Sequence, residues 1–180
     1  MNRYPAILLM LFVVGVFAGC ASHRYTVIEP PSQSLTDYST LEISQFKSNL
    51  EDAESIELAN RFAGRLHLAV MNYRENNPDD VVYDEVTLGT DKRQDVLLMQ
   101  GTVISYEEGS RAKRYWIGFG SGKAYCTIQV VFTEKESGKE VARTNFDGEL
   151  AMGLFGGDAD EAVDGVVDAF IDYMQQYMSS

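Results

Sequence analysis

Between Val81 and Ala151, four runs with the apolar character of β-strands follow one another, and a stretch of helical period flanks them on each side. Strand-like runs next to patterns of period 3.6 leave few architectures open. Upstream, Leu41–Phe46 alternates with Leu41, Ile43 and Phe46 inward. Asn49, Asp52 and Glu54 then offer helix-start chemistry. Ile56, Ala59, Phe62, Ala63, Leu66, Ala69, Val70 and Tyr73 recur at helical spacing, and the pattern stops near Asn76-Asn77-Pro78. Glu57, Arg61 and Arg65 lie four apart on the other face. Strands are predicted over residues 81–86, 95–106, 124–133 and 140–151, with a tight turn at Ser137-Gly138. Gly153–Gly157 breaks the pattern. Asp158 can cap a last helix, with Glu161 as its capping-box partner. The buried stripe of that helix is Ala162, Val163, Val166, Val167, Phe170, Tyr173, Met174 and Tyr177, opposite Asp164, Asp168 and Asp172. The order β-α-β-β-β-β-α predicts an α+β fold. Its sheet would be mostly antiparallel, of about five strands, with both amphipathic helices on one face.

The N-terminus has a different logic. Arg3 gives a positive start, and Ile7–Phe17 is uncharged and almost entirely apolar. That run is short for a membrane span, which needs about 20 residues, and fits the apolar core of an export signal. It ends in Val16-Phe17-Ala18-Gly19-Cys20, which resembles the bacterial lipobox. The pattern predicts cleavage between Gly19 and Cys20 and lipidation of Cys20. Two or more acyl chains make such anchoring stable. Ala21 rather than an aspartate follows the cysteine. By resemblance to enteric sorting, this implies outer-membrane anchoring with the domain in the periplasm. Residues 1–19 are therefore read as signal, 20–37 as the lipidated N-terminus and tether, and 38–178 as a single domain. The tether holds Pro30-Pro31, which bars a helix, while Thr26-Val27-Ile28 has the makings of a short edge strand.

Charge and cysteine content narrow the function. The formal net charge is −12. Nucleic-acid backbones repel such a chain, so nucleic-acid binding is not expected. With Cys20 lipidated, Cys126 is left alone, and the mature chain can form no internal disulfide. Cys126 falls on the inward face of a strand and reads as a packed thiol. Only two histidines occur, His23 in the tether and His67 in the first helix, and neither has a ligand partner at metal-binding spacing. No Gly-x-Ser-x-Gly elbow supports a hydrolase site. Gly118–Lys123 looks superficially like a phosphate loop. Ile117 and Ala124 occupy the positions where the motif needs glycine and Ser/Thr, and the segment runs into a strand. No nucleotide, metal or other cofactor is expected.

One segment stands out. Between Gly109 and Thr133 there are four bases (Arg111, Lys113, Arg114 and Lys123) and no acids, with Tyr115, Phe119 and the single tryptophan, Trp116, among them. Residues 144–180 hold eight acids and no bases. The bases could simply pair with the acidic helix, or the segment could dock a partner, since Arg and Trp are favoured binding anchors.

The stretch from Ser110 to Gly157 resembles bacterial lipoproteins of the domain of unknown function 4410 family. The matching features are Arg111-Ala112 with Arg114, then Gly118-Phe119-Gly120, Gly122-Lys123-Ala124 and the strand after them. The Ser137-Gly138-Lys139-Glu140 turn, Gly153–Gly157 and the closing amphipathic helix also match. The resemblance extends over roughly residues 35–178. It implies a small α+β lipoprotein domain, distantly similar to accessory lipoproteins of envelope assembly and transport, and it implies no catalytic residues. The expectation is a non-enzymatic docking lipoprotein with a protein partner in the envelope. The alternatives are a subunit of an outer-membrane secretion pore and, third, a periplasmic enzyme. A cleft with converging carboxylates, or an exposed His67, would speak for the enzyme.

Overall fold

The computed structural model describes residues 24–80, 83–89, 93, 95–107, 125–149 and 159–179. In chain order the elements are β1 (Tyr25–Glu29), a 3-10 turn (Leu35–Asp37), β2 (Thr40–Ile43), β3 (Lys47–Ser48), α1 (Ala53–Asn76), β4 (Glu85–Leu88), β5 (Val96–Glu107), β6 (Tyr125–Glu134), β7 (Glu140–Glu149) and α2 (Ala159–Tyr177). The fold is α+β. Its seven-stranded sheet has the order β1-β7-β6-β5-β2-β4, with β3 set against β5.

The sheet is mixed, which corrects the expectation of a mostly antiparallel one of about five strands. β2 lies parallel to β4 on one side and to β5 on the other. The cause is α1. A helix between two strands carries the chain back to its starting side, so the next strand re-enters in the same direction. The remaining half, β5-β6-β7-β1, is antiparallel throughout.

Two strands differ from their expected bounds. Tyr25–Glu29, within the stretch assigned to the tether, is the edge strand against β7, and Leu35 just after it is buried. Among the described residues the fold therefore takes in the chain from position 24 onward. The strand expected over 81–86 runs instead from Glu85 to Leu88.

α1 begins where Asp52 Oδ1 accepts the Ser55 backbone N–H at 2.7 Å. Those hydrogen bonds hold the Asp52 carboxyl below its usual pKa. The helix ends where the Asn77 N–H and side-chain amide both reach the Tyr73 carbonyl, at 2.9 and 3.0 Å, just before Pro78. Leu58, Ala59, Phe62, Ala63, Leu66 and Val70 form its buried face. Ile56, expected on that face, is exposed, and Leu58 takes its place.

In α2, Val163, Val166, Phe170, Tyr173 and Met174 are buried, while Asp164, Asp168 and Asp172 face outward. Tyr173 is the hub of an aromatic cluster. It meets Phe146 and Tyr25 edge-on at 5.4 and 5.5 Å and stacks on Phe132 at 5.8 Å. Both helices pack on the sheet face that carries Leu97, Met99, Ile128, Val130, Phe132 and Phe146. The Ser137-Gly138 turn closes with Gly138 at φ 72°, where a side chain would be strained, and with its N–H on the Glu134 carbonyl at 2.9 Å.

Candidate functional site

The sheet brings the ends of the basic, aromatic segment together. Glu107 at the end of β5 pairs with Tyr125 at the start of β6, so the described residues on either side of the segment lie next to each other. β5 has 12 residues and β6 has 10, which makes this hairpin the longest in the sheet. Arg111, Lys113, Arg114, Tyr115, Trp116, Phe119 and Lys123 themselves lie outside the described residues, as do Gly19 and Cys20.

Cys126 is the second residue of β6 and is buried, as its place in the alternation predicts. Burial pushes its thiol up to about 12, with a smaller contribution from the Asp147 carboxylate. A thiol held protonated at neutral pH is a poor nucleophile.

His67 occupies a different place from either sequence alternative, since it is half-buried on the rim of a groove. Its Nε2 lies 3.3 Å from the Val86 carbonyl and donates to it. The groove, of about 590 Å³, is lined by Arg61, Gly64, Arg65, His67 and Leu68 of α1 and by Leu88 of β4. Arg61 and Leu68 lie seven residues apart, on one helix face with Gly64 and Arg65 between them. Arg65 reaches Asp164 of α2 at 3.0 Å, and Arg61 reaches Glu57 at 3.8 Å. Leu68 and Leu88 are 62% and 52% exposed, so two leucines sit beside two guanidinium groups at the surface. No carboxylates converge on His67 in this lining. Among the described residues no group of three His, Cys, Asp or Glu side chains is disposed to hold a metal. Sequence reasoning missed the groove. The available signal was Leu68, an apolar residue off the stripe that faces the core.

On the parallel side of the sheet, Glu42 of β2 is buried and takes Lys135, just after β6, at 2.5 Å. This pair ties the β6–β7 turn to β2, the strand next to the β4 edge.

The model of the family described as Domain of unknown function (DUF4410) matches residues 43–153, from the end of β2 to just beyond β7. The chain belongs to the DUF4410 family. Its fold is similar to that of the PelC dodecamer from Paraburkholderia phytofirmans, at 7% identity, with 87% of this chain and 99% of that chain covered and a TM-score of 0.56. A variant PelC dodecamer from the same organism gives 10% identity, 86% and 97% coverage and a TM-score of 0.53. Lipoprotein GNA1162 of Neisseria meningitidis aligns at 8% identity over 77% of this chain and 99% of its own, with a TM-score of 0.44. No curated protein matches the chain significantly. The PelC likeness shows a shared fold, whose elements this DUF4410 chain keeps at very low sequence identity.

Proposed function

We propose that this DUF4410 chain is a lipid-anchored, non-enzymatic docking component of the bacterial cell envelope. Cys20 carries the anchor, the domain stands in the periplasm at the outer membrane, and the segment from Arg111 to Lys123 binds a protein partner. The observation that carries the docking role is the Glu107–Tyr125 pairing, which roots the segment in the longest hairpin of the sheet. A binding element on a rigid base loses less entropy when it meets its partner. The segment's charge adds support, because a basic, tryptophan-bearing stretch on an acidic chain suits an acidic partner surface.

Charge reversal of Arg111, Lys113 and Arg114 in the full chain abolishes co-purification with the partner from native membranes, with the circular dichroism spectrum unchanged. An unchanged set of co-purifying proteins would remove the docking role. Cys20→Ser abolishes incorporation of labelled fatty acid. Fractionation that finds the wild-type chain only with inner-membrane markers would overturn the proposed location.

A second reading, a subunit of a ring in the outer membrane, draws on the dodecameric assembly of the PelC structures that share the fold. Ring-shaped particles in electron micrographs of detergent extracts test it.

A further inference from the structure

The two ends of the sheet carry the inference. Among the described residues, the strand order ends at β4 on one side and at β1 on the other. A sheet edge presents unpaired backbone N–H and C=O groups, and proteins commonly blunt such edges with lysine or proline. Neither edge strand holds a lysine or a proline: β1 reads Tyr-Thr-Val-Ile-Glu and β4 reads Glu-Val-Thr-Leu, so only the β1 bulge, the four-residue length of β4 and the Arg93–Glu85 ion pair at 2.7 Å blunt them in part. Each exposes an aliphatic side chain instead. Ile28, at the β-bulge of β1, is 46% exposed, and Leu88 closes β4 beside the exposed Leu68 of α1.

Strand direction decides how two edges can meet. β4, β2 and β5 run one way, β6 reverses, β7 returns, and β1 reverses again. β4 and β1 therefore run in opposite directions. When two copies stand side by side in the same orientation, β4 of one meets β1 of the next as an antiparallel pair, the slightly more stable pairing. Charge agrees with this arrangement. The helix beside β4 brings Arg61 and Arg65 to the groove. The helix beside β1 presents Asp168 and Asp172 outward, with Asp168 3.5 Å from Arg24 and Gln176 bonded to Tyr25 at 2.5 Å.

We propose that copies of this chain assemble head to tail, with the β4 edge and α1 groove of one copy receiving the β1 edge and acidic α2 flank of the next. A four-residue strand pairing alone falls short of the ~800 Å² per partner typical of a specific interface, so the helix flanks take part. The charges already have exposed partners within the chain. They set the orientation of the contact, and the leucines and isoleucine supply most of the affinity. A heterologous contact closes into a ring when its rotation permits and otherwise extends. The inference deepens the ring reading without needing a pore, and it is independent of the docking segment.

Native mass spectrometry of the full chain released from detergent micelles tests it. The wild-type chain gives whole-number multiples of its mass. Leu88→Lys and Ile28→Lys, both at exposed positions, each give monomers. Mixed one to one, the two variants give dimers and nothing larger, because each keeps the edge that the other has lost. Arg61→Glu or Asp168→Arg alone raises the dissociation constant up to about fivefold, and both in one chain restore it. A monomeric wild type, variants that still assemble, or a mixture that stays monomeric would each overturn the proposal. Mass multiples without ring-shaped particles would remove the ring reading and leave head-to-tail pairing intact.

Discussion

The two halves of the sheet are built on different principles. In the antiparallel half, β5, β6 and β7 are 10–12 residues long, and β6 alternates strictly between core and outer face. Gln129 meets Asn145 at 3.1 Å and Thr127 meets Asp147 at 2.7 Å on the outer side, a polar ladder that keeps that face in water. In the parallel half, β2 and β4 have four residues each, and all four of β2 are buried. A strand covered on both faces cannot alternate, and β2 hides even a charge, Glu42. The antiparallel half gets its stability from repeated cross-strand pairs. The parallel half depends on a few residues that must each be satisfied.

The comparison predicts where the molecule breaks most severely. Phe146→Ala removes a ring that touches Tyr25, Phe170 and Tyr173 and costs about 3–5 kcal/mol in denaturant unfolding. A smaller loss would mean that the aromatic cluster can collapse around the hole. In the parallel half, Lys135→Met removes the ion pair of the buried Glu42 carboxylate and costs about 2–3 kcal/mol, since Lys135 keeps some access to water. The double variant Glu42→Leu/Lys135→Met returns to within about 1 kcal/mol of wild type, because two apolar groups replace two desolvated charges. If the double variant is as unstable as the single one, the ion pair does more than satisfy itself.

Where the halves meet, on β5, Gly101 lies against the Phe46 ring, and a Cβ there would come within 2.0 Å of a ring carbon. Gly101→Ala costs about 1–3 kcal/mol, and Phe46→Leu in the same chain recovers part of it. Smallest is Cys126→Ala, about 1 kcal/mol for a small buried side chain. The Cys126 thiol ionises at about 12 in the folded chain, against 9.0 when unfolded. Its contribution to stability is therefore complete below pH 9 and lost as pH rises from 9 to 12. Unfolding midpoints that fall over this range in wild type, and fall less in Cys126→Ala, check the sign. A thiol reagent that labels the native chain rapidly at pH 7 would contradict the burial.

What the sequence makes legible follows the same division. Half-buried strands announce themselves, so Cys126, Ile128, Val130 and Phe132 could be placed on one face from their spacing alone, as could the stripe of α2. β2 could not be read as a strand buried on both faces, because Glu42 looks like an outward residue until Lys135 is found above it. Nor does spacing show which strands lie side by side. Parallel pairing of β2 with β4 is a property of the crossover through α1, and β5 joins the other side of β2 only after β4. Of the candidate site, the composition of the Arg111–Lys123 segment was legible, and so was its place between two strands. The groove beside β4 was not, since it takes Leu88 and α1 from opposite ends of that crossover.

The early start of β1 also shortens the leash. Only residues 21–24 separate Cys20 from Tyr25. Five peptide steps span at most about 17 Å, only two to three times the thickness of one lipid headgroup layer. A chain anchored at Cys20 would be moored against the membrane surface by the rim of its own sheet, with little freedom to tumble. Chains tied that way to one leaflet share an up and a down before they ever touch.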